Sequence, residues 1–157
     1  MVESYDEVIE QIAQSVFATM LEIELVRIDG QQLPEHEQLL SAVHIVGQWT
    51  GSVVLAMSQP VARAAAAAML QMSAADVTPT DMTDTASELT NMIGGNLKSL
   101  LPGPSFLSLP TIVSGRDFGV QVRDAESIED VTLVCEAGPI QVTLFAKKEA
   151  ELAAVGG

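Results

Sequence analysis

The sequence predicts an α+β fold, a single domain over residues 1–157 in which helices pack on an antiparallel sheet. Helical and β-rich segments are both present, and the short connections between β-rich segments require antiparallel pairing. A chain of 157 residues that is 48% hydrophobic suffices for one core and is short for two. The halves also repeat a helix, a strand and a hairpin, with Val43–Val46 similar to Val131–Val134 and Gly51–Leu55 similar to Gly138–Val142. This order indicates a weak internal α-β-β duplication.

Three segments have helical signatures. Apolar residues recur every three or four positions from about Ser4 to Leu21. A second helix begins at Pro60 and continues to about Gln71 through consecutive alanines, which have high helix propensity. Thr78-Pro79-Thr80-Asp81 has the pattern of a capping box and should begin a third helix. We expect this helix to end at about Leu101, because the following prolines cannot continue it.

The other predicted elements are strands. Glu22 to Asp29 mostly alternates polar with apolar residues, which is typical of a half-buried strand. Ala42–Val46 and Ser52–Met57 flank a turn-forming segment and predict a hairpin. The strands predicted after the third helix are Leu109–Ser114, Val120–Arg123, Val131–Glu136 and Ile140–Lys147. The tail, about residues 149–157, should be frayed.

Charge and composition exclude several classes of function. A formal net charge of -14, with seven basic residues and one basic pair at Lys147-Lys148, argues against binding nucleic acid or an anionic membrane. No segment has the pattern of a signal peptide or the apolar length of a bilayer span. Cys135 is the only cysteine and cannot form an intramolecular disulfide. We therefore expect a cytoplasmic protein with no nucleic-acid partner and no membrane partner.

Candidate metal ligands do not have the spacing of a metal site. His36 lies in a polar connection and His44 in an apolar strand, without a third ligand. The acidic residues between Asp124 and Asp130 are better interpreted as a solvated loop than as a cation site. No metal site is predicted.

The third helix has the most informative polar pattern. Its apolar residues follow steps of three and four and should face the sheet: Met82, Ala86, Leu89, Ile93, Leu97 and Leu100. A second set with the same spacing should face solvent, and we call it the polar stripe: Asp84, Glu88, Asn91, Gly95 and Lys98. Glu88 and Asn91 lie about one turn apart, within side-chain contact range.

Small residues surround Glu88 and Asn91, and two of them are the adjacent glycines Gly94 and Gly95. A glycine inside a helix costs about 1 kcal/mol relative to alanine. Small residues let a partner approach closely, so this face suits a flat docking surface. The alternative from periodicity alone is a solvated helix face, with the glycines permitting tight helix packing.

The pattern Asp84-x-x-x-Glu88-x-x-Asn91, continued through Met92–Ser99 and later Ser108–Gly115, resembles the CheC/CheX/FliY family of chemotaxis phosphatases. It is most similar to the CheX branch. The resemblance extends to Ser15–Leu21 and Gly51–Leu55, so it covers most of the chain. It implies a CheC-like fold and a single CheX-like phosphatase domain.

The resemblance also implies a bacterial enzyme that hydrolyses the aspartyl phosphate of a CheY-like response regulator in two-component signalling. Glu88 would pair with the regulator's lysine, and Asn91 would orient the attacking water. The implied docking surface comprises Asp84, Ser87, Gly94, Gly95 and Lys98. The protein would need no cofactor of its own, because Mg²⁺ belongs to the regulator. CheX-like relatives are homodimers, so a homodimer is implied as well.

Two features distinguish this sequence from some members of that family. Double-site members carry a second Glu-x-x-Asn helix, but the first helix here contains no asparagine, so one site per chain is expected. Pro110 lies nearer the motif than the corresponding proline of longer members, and it is treated as structural.

Two alternatives remain open. The chain could be a non-catalytic module that binds a response regulator, or a signalling or motor-associated adaptor, for which loss of Asn91 would leave docking largely intact. It could also be a structural dimerisation domain, for which neither Glu88 nor Asn91 would matter.

Overall fold

The computed structural model describes residues 4–29, 38–115 and 125–147. These residues form three α-helices and seven strands around one main hydrophobic core. The helices are α1 (Tyr5–Leu21), α2 (Gln59–Leu70) and α3 (Pro79–Lys98). The strands are β1 (Val26–Ile28), β2 (Gln38–Gly47), β3 (Gly51–Ser58), β4 (Ser105–Leu107), β5 (Thr111–Gly115), β6 (Ala125–Cys135) and β7 (Gly138–Lys147). The predicted α+β class, with helices on an antiparallel sheet, is confirmed.

All pairings in the sheet are antiparallel, in the order β1-β6-β7-β3-β2. The outer edge of β2 is shared by two strands, because β5 pairs with Gln38–Ala42 and β4 with Ile45–Gly47. Strand β3 lies near the centre and is buried at every position, which explains its continuous apolar sequence. The predicted hairpin of β2 and β3 is confirmed.

The start of α3 follows its predicted capping box. The backbone N–H of Asp81 donates to the Thr78 hydroxyl at 3.1 Å, and the Thr78 N–H donates to the Asp81 carboxylate at 2.9 Å. Two of the free donors at the helix start are therefore satisfied. The helix ends at Lys98, earlier than predicted, so the prediction that Leu100 faces the sheet is wrong. Leu100 is 63% exposed, while Leu101 is buried after the turn.

Several strand boundaries differ from the prediction. Only Val26–Ile28 of the predicted first strand pairs with a neighbour, because Glu22 adopts a left-handed conformation (φ 56°) that ends α1. Strand β4 was not predicted. Strand β6 begins at Ala125, so Glu129 and Asp130 lie in a strand and the interpretation of this acidic segment as a loop is wrong. The predicted strand Val120–Arg123, the connection containing His36 and the tail at about 149–157 lie outside the described residues.

Helix α3 lies across the sheet and contacts β2, β3, β4 and β5, as well as both other helices. Its inward side chains are almost completely buried: Met82, Ala86, Leu89, Ile93 and Leu97. The Thr90 hydroxyl, also buried, donates to the Ala86 carbonyl at 2.7 Å, so this buried hydroxyl is paired within the helix. Because its inner face is packed along most of its length, α3 is a rigid support for the residues on its outer face.

Candidate functional site

The polar stripe lies on the solvent side of α3, as predicted. Asp84, Glu88 and Asn91 are exposed, whereas Gly95 and Lys98 are partly exposed. Their spacing of three or four residues places all five side-chain positions along one line of the helix surface. The structure therefore brings Glu88 and Asn91 together on an accessible face, about one helical turn apart.

The two asparagines of the chain have different environments, although both are exposed on α3. The Asn96 side-chain amide donates to the Met92 carbonyl at 2.8 Å, one turn back in the same helix. Among the described residues, the Asn91 side chain has no hydrogen-bond partner. Asn91 therefore presents both an amide donor and an amide acceptor to a group outside the chain.

Glu88 also faces outward without a partner in the described part of the chain, where no salt bridge or side-chain hydrogen bond involves it. The residue one turn before it on the stripe is Asp84, which has the same charge. The basic residue of the stripe, Lys98, follows ten residues later and so lies about 15 Å along the helix axis. This end of the stripe is therefore negative and suits a cationic group supplied by another molecule.

The adjacent glycines have different surroundings. A Cβ atom on Gly94 would lie 2.6 Å from Cγ2 of Val43, so the missing side chain permits close packing of α3 on β2. Gly94 is buried, and the structure does not place this predicted docking residue on the exposed face. At Gly95 an added Cβ would meet nothing within 4 Å in the part of the chain that the structure describes. Ser87, also predicted for the docking surface, is partly exposed beside Glu88.

The polar stripe lies outside two cavities of the described chain. One cavity of about 550 Å³ is lined by β1, β6 and the segment after α1, and one of about 500 Å³ lies between α1 and that segment. No residue of the stripe lines either cavity. Sites for small molecules are usually concave and enclose most of the ligand, whereas an exposed helix face offers an open surface for contact with a macromolecule.

The described residues include neither a metal-binding cluster nor a membrane-spanning helix. No group of three His, Cys, Asp or Glu side chains is arranged to hold a metal ion. None of the described helices has the length and apolar character needed to cross a bilayer. The polar groups that the stripe presents are the carboxylates of Asp84 and Glu88, the carboxamide of Asn91 and the ammonium group of Lys98.

A comparison with protein-family models gave a match to chemotaxis phosphatase CheX over residues 39–134. The matched segment is more than half of the chain and includes all of α3, with Glu88 and Asn91. No curated protein shows significant similarity to the sequence.

Solved structures share the fold over nearly the whole chain. CheX from Vibrio vulnificus has a TM-score of 0.74 at 20% identity, covering 91% of this chain and 97% of that chain. CheX from Desulfovibrio desulfuricans has a TM-score of 0.73 at 19% identity, covering 90% and 97%. The CheX–CheY–BeF₃–Mg²⁺ complex from Borrelia burgdorferi has a TM-score of 0.71 at 20% identity, covering 92% and 99%. At these identities the comparisons establish the CheC-like fold, and the roles of individual residues have to be argued from the site.

Proposed function

The chain belongs to the CheX family of chemotaxis phosphatases, and on this premise we propose that it hydrolyses the aspartyl phosphate of a CheY-like response regulator. The observation that carries the proposal is the exposed pair Glu88 and Asn91, which lies without partners in the described chain on a rigid helix. A relative of the same fold, from Borrelia burgdorferi, forms a complex with CheY. That complex supports a response regulator as the partner.

Asn91 is proposed to orient the water that attacks phosphorus. The water oxygen forms a bond to phosphorus on the side opposite the aspartyl oxygen, the phosphorus–oxygen bond to aspartate breaks, and the products are a free carboxylate and inorganic phosphate. A carboxamide can hydrogen-bond this water but cannot remove its proton, so its contribution is positioning. An acceleration of about a hundredfold requires only about 2.7 kcal/mol of barrier reduction, which positioning can supply.

Glu88 is proposed to dock the regulator by pairing with its active-site lysine. No basic side chain of the described residues forms a salt bridge with this carboxylate, so it is available to pair with a lysine of the partner. An exposed ion pair contributes at most about 1 kcal/mol, which is enough to fix orientation but not to provide the whole affinity. The remaining affinity must come from contacts along the stripe, where Asp84, Ser87 and Lys98 are accessible.

The two roles are separated by measuring binding and hydrolysis independently. Binding is measured to a purified CheY-like regulator of the same organism with Mg²⁺ and beryllofluoride, a stable mimic of the phosphoryl group. Hydrolysis is followed as decay of the phosphorylated regulator. Asn91→Ala should leave the Kd within about threefold and remove most of the acceleration, whereas Glu88→Ala should weaken binding up to about fivefold. Asn96→Ala is the matched control and should behave as wild type.

The same measurements distinguish the alternatives. If wild-type protein binds the regulator but does not accelerate decay, the chain is an adaptor that lacks phosphatase activity. If Glu88→Ala and Asn91→Ala both behave as wild type in both assays, the polar stripe is not the site. Absence of acceleration by excess wild-type protein for every response regulator of the organism would contradict the proposed activity.

A further inference from the structure

No contact within the described chain explains why position 95 is a glycine. Glycine inside a helix is less stable than alanine, and at Gly94 that cost has a reason, because Val43 occupies the space of a side chain. At Gly95 a Cβ atom would meet no atom of the described residues within 4 Å. The backbone there is ordinary helix, with the Gly95 carbonyl accepting the Ser99 N–H at 3.2 Å, so no left-handed conformation requires glycine.

The position of Gly95 relates it to the proposed site. At about 100° per residue, its side-chain direction lies about 20° around the helix axis from that of Glu88 and about 40° from that of Asn91. It follows Asn91 by one turn, or about 6 Å along the axis. The partly exposed backbone of α3 at Gly95 therefore forms a gap in the polar stripe between Asn91 and Lys98.

We propose that Gly95 is a positioning residue of the phosphatase: the surface of the phosphorylated regulator packs directly on the α3 backbone at this gap. This inference rests on the proposed function. The asparagine side chain is short, so the helix must come close to the regulator before Asn91 can hydrogen-bond a water at phosphorus. A side chain at position 95 would point toward the same partner surface and hold the helix away from it.

The expected effect of filling the gap is large. A Cβ atom extends about 1.5 Å from the backbone, the length of one carbon–carbon bond. A misplacement of about 1 Å in a reacting geometry can reduce a rate about a hundredfold. Gly95→Ala should therefore lower the rate of regulator dephosphorylation at saturation about tenfold to a hundredfold, and Gly95→Leu should also weaken binding to the beryllofluoride–Mg²⁺ form.

Stability provides the readout that separates positioning from folding. Because the added methyl group meets no described residue within 4 Å, Gly95→Ala should raise the urea midpoint of unfolding while the rate falls. Asn96→Leu is the matched control, since it places a leucine one residue later and about 100° around the helix. It should keep the dephosphorylation rate within about twofold of wild type.

The outcomes are distinguishable from failure of the proposed function itself. If wild-type protein dephosphorylates the regulator and Gly95→Ala does so equally fast, the inference is overturned while the phosphatase activity stands. A lower rate together with a lower urea midpoint would assign Gly95 to the fold and would also overturn it. If wild-type protein is inactive toward all regulators of the organism, the proposed function fails and this inference fails with it.

Discussion

Val43 and Gly94 set the distance between α3 and the sheet. The closest side-chain atom to a Cβ built on Gly94 is Cγ2 of Val43, at 2.6 Å, which is shorter than any ordinary carbon–carbon contact. Valine has little freedom to rotate away, because its branched side chain is restricted at χ1. The position of Asn91, one turn earlier on the same helix, therefore depends on a contact in the core.

Gly94→Ala is expected to destabilise the protein. Overpacking against Val43 lowers the free energy of unfolding by about 1–3 kcal/mol, and the higher helix propensity of alanine offsets about 1 kcal/mol of this loss. Urea unfolding should therefore give a free energy of unfolding lower by about 1 kcal/mol. In a Val43→Ala background the same substitution should be neutral or stabilising, because the blocking methyl group is gone. Equal destabilisation in both backgrounds would contradict this account of the contact.

The two glycines also show what the sequence could not resolve. Glu88, Asn91 and the alternation of buried and exposed positions on α3 were predicted from residue spacing, and the structure confirms those exposures. Helical spacing placed Gly95 on the polar stripe, but the sequence did not show that Gly94, also expected on the docking surface, is buried. The close approach of α3 to Val43 depends on tertiary packing, and it assigns Gly94 to the core.

At the scale of elements, the start of α3 was predictable because a capping box is a local pattern of a few residues. Thr78→Ala removes the hydroxyl that accepts the Asp81 N–H, and this should lower the free energy of unfolding by about 1 kcal/mol in urea. Thr80→Ala is the control, since Thr80 is exposed in the first turn and belongs to neither hydrogen bond of the box. Equal effects of the two substitutions would show that the box does not stabilise α3.

Helix α1 is attached to β1 by charged side chains. The Arg27 guanidinium lies 2.8 Å from the Asp6 carboxylate and 3.3 Å from that of Glu10. The pKa of Asp6 lies below its usual value. The largest cause is a hydrogen bond with Ser4, and the second is the hydrogen bond with Arg27. Because the pKa of Asp6 is lower in the folded protein than in the unfolded chain, the ionised carboxylate stabilises the fold at pH values above the usual carboxyl pKa. This stabilisation is lost as the pH falls through the lowered pKa.

Arg27→Gln should therefore raise the pKa of Asp6 in an NMR pH titration. The rise should be partial, because the hydrogen bond with Ser4 remains. Arg63→Gln is the control, since the Arg63 guanidinium donates to the carbonyls of Ala74 and Val77 and has no contact with Asp6. An unchanged Asp6 pKa in Arg27→Gln would show that this ion pair does not form in solution.

The elements that the sequence did not predict depend on tertiary pairing. Strand β4 is three residues long, and its pairing with the end of β2 defines it more than any local pattern does. The first predicted strand was too long because its alternating residues begin where Glu22 is ending α1. In both cases the local signal is short, and the partner strand decides which residues pair.

At the scale of the whole molecule, the strand order supports the predicted duplication. Strands β3 and β7 are neighbours at the centre of the sheet. Strand β2 lies beside β3 and is followed by β5, and β6 lies beside β7 and is followed by β1. The first strand of each half pairs with the hairpin of the other half, as β1 does with β6 and β5 with β2. The repeated order was visible in the sequence, but the exchange between halves was not, because it depends on long-range pairing.

The central claim is that the exposed face of α3 hydrolyses the aspartyl phosphate of the regulator. The most direct test is the first-order decay constant of a phosphorylated CheY-like regulator of the same organism, measured over increasing concentrations of this protein. We predict that the decay constant rises with wild-type protein to a plateau at least about tenfold above the spontaneous value, and that it stays close to the spontaneous value with Asn91→Ala. A decay constant that does not change with wild-type protein, or that rises equally with Asn91→Ala, would contradict the account.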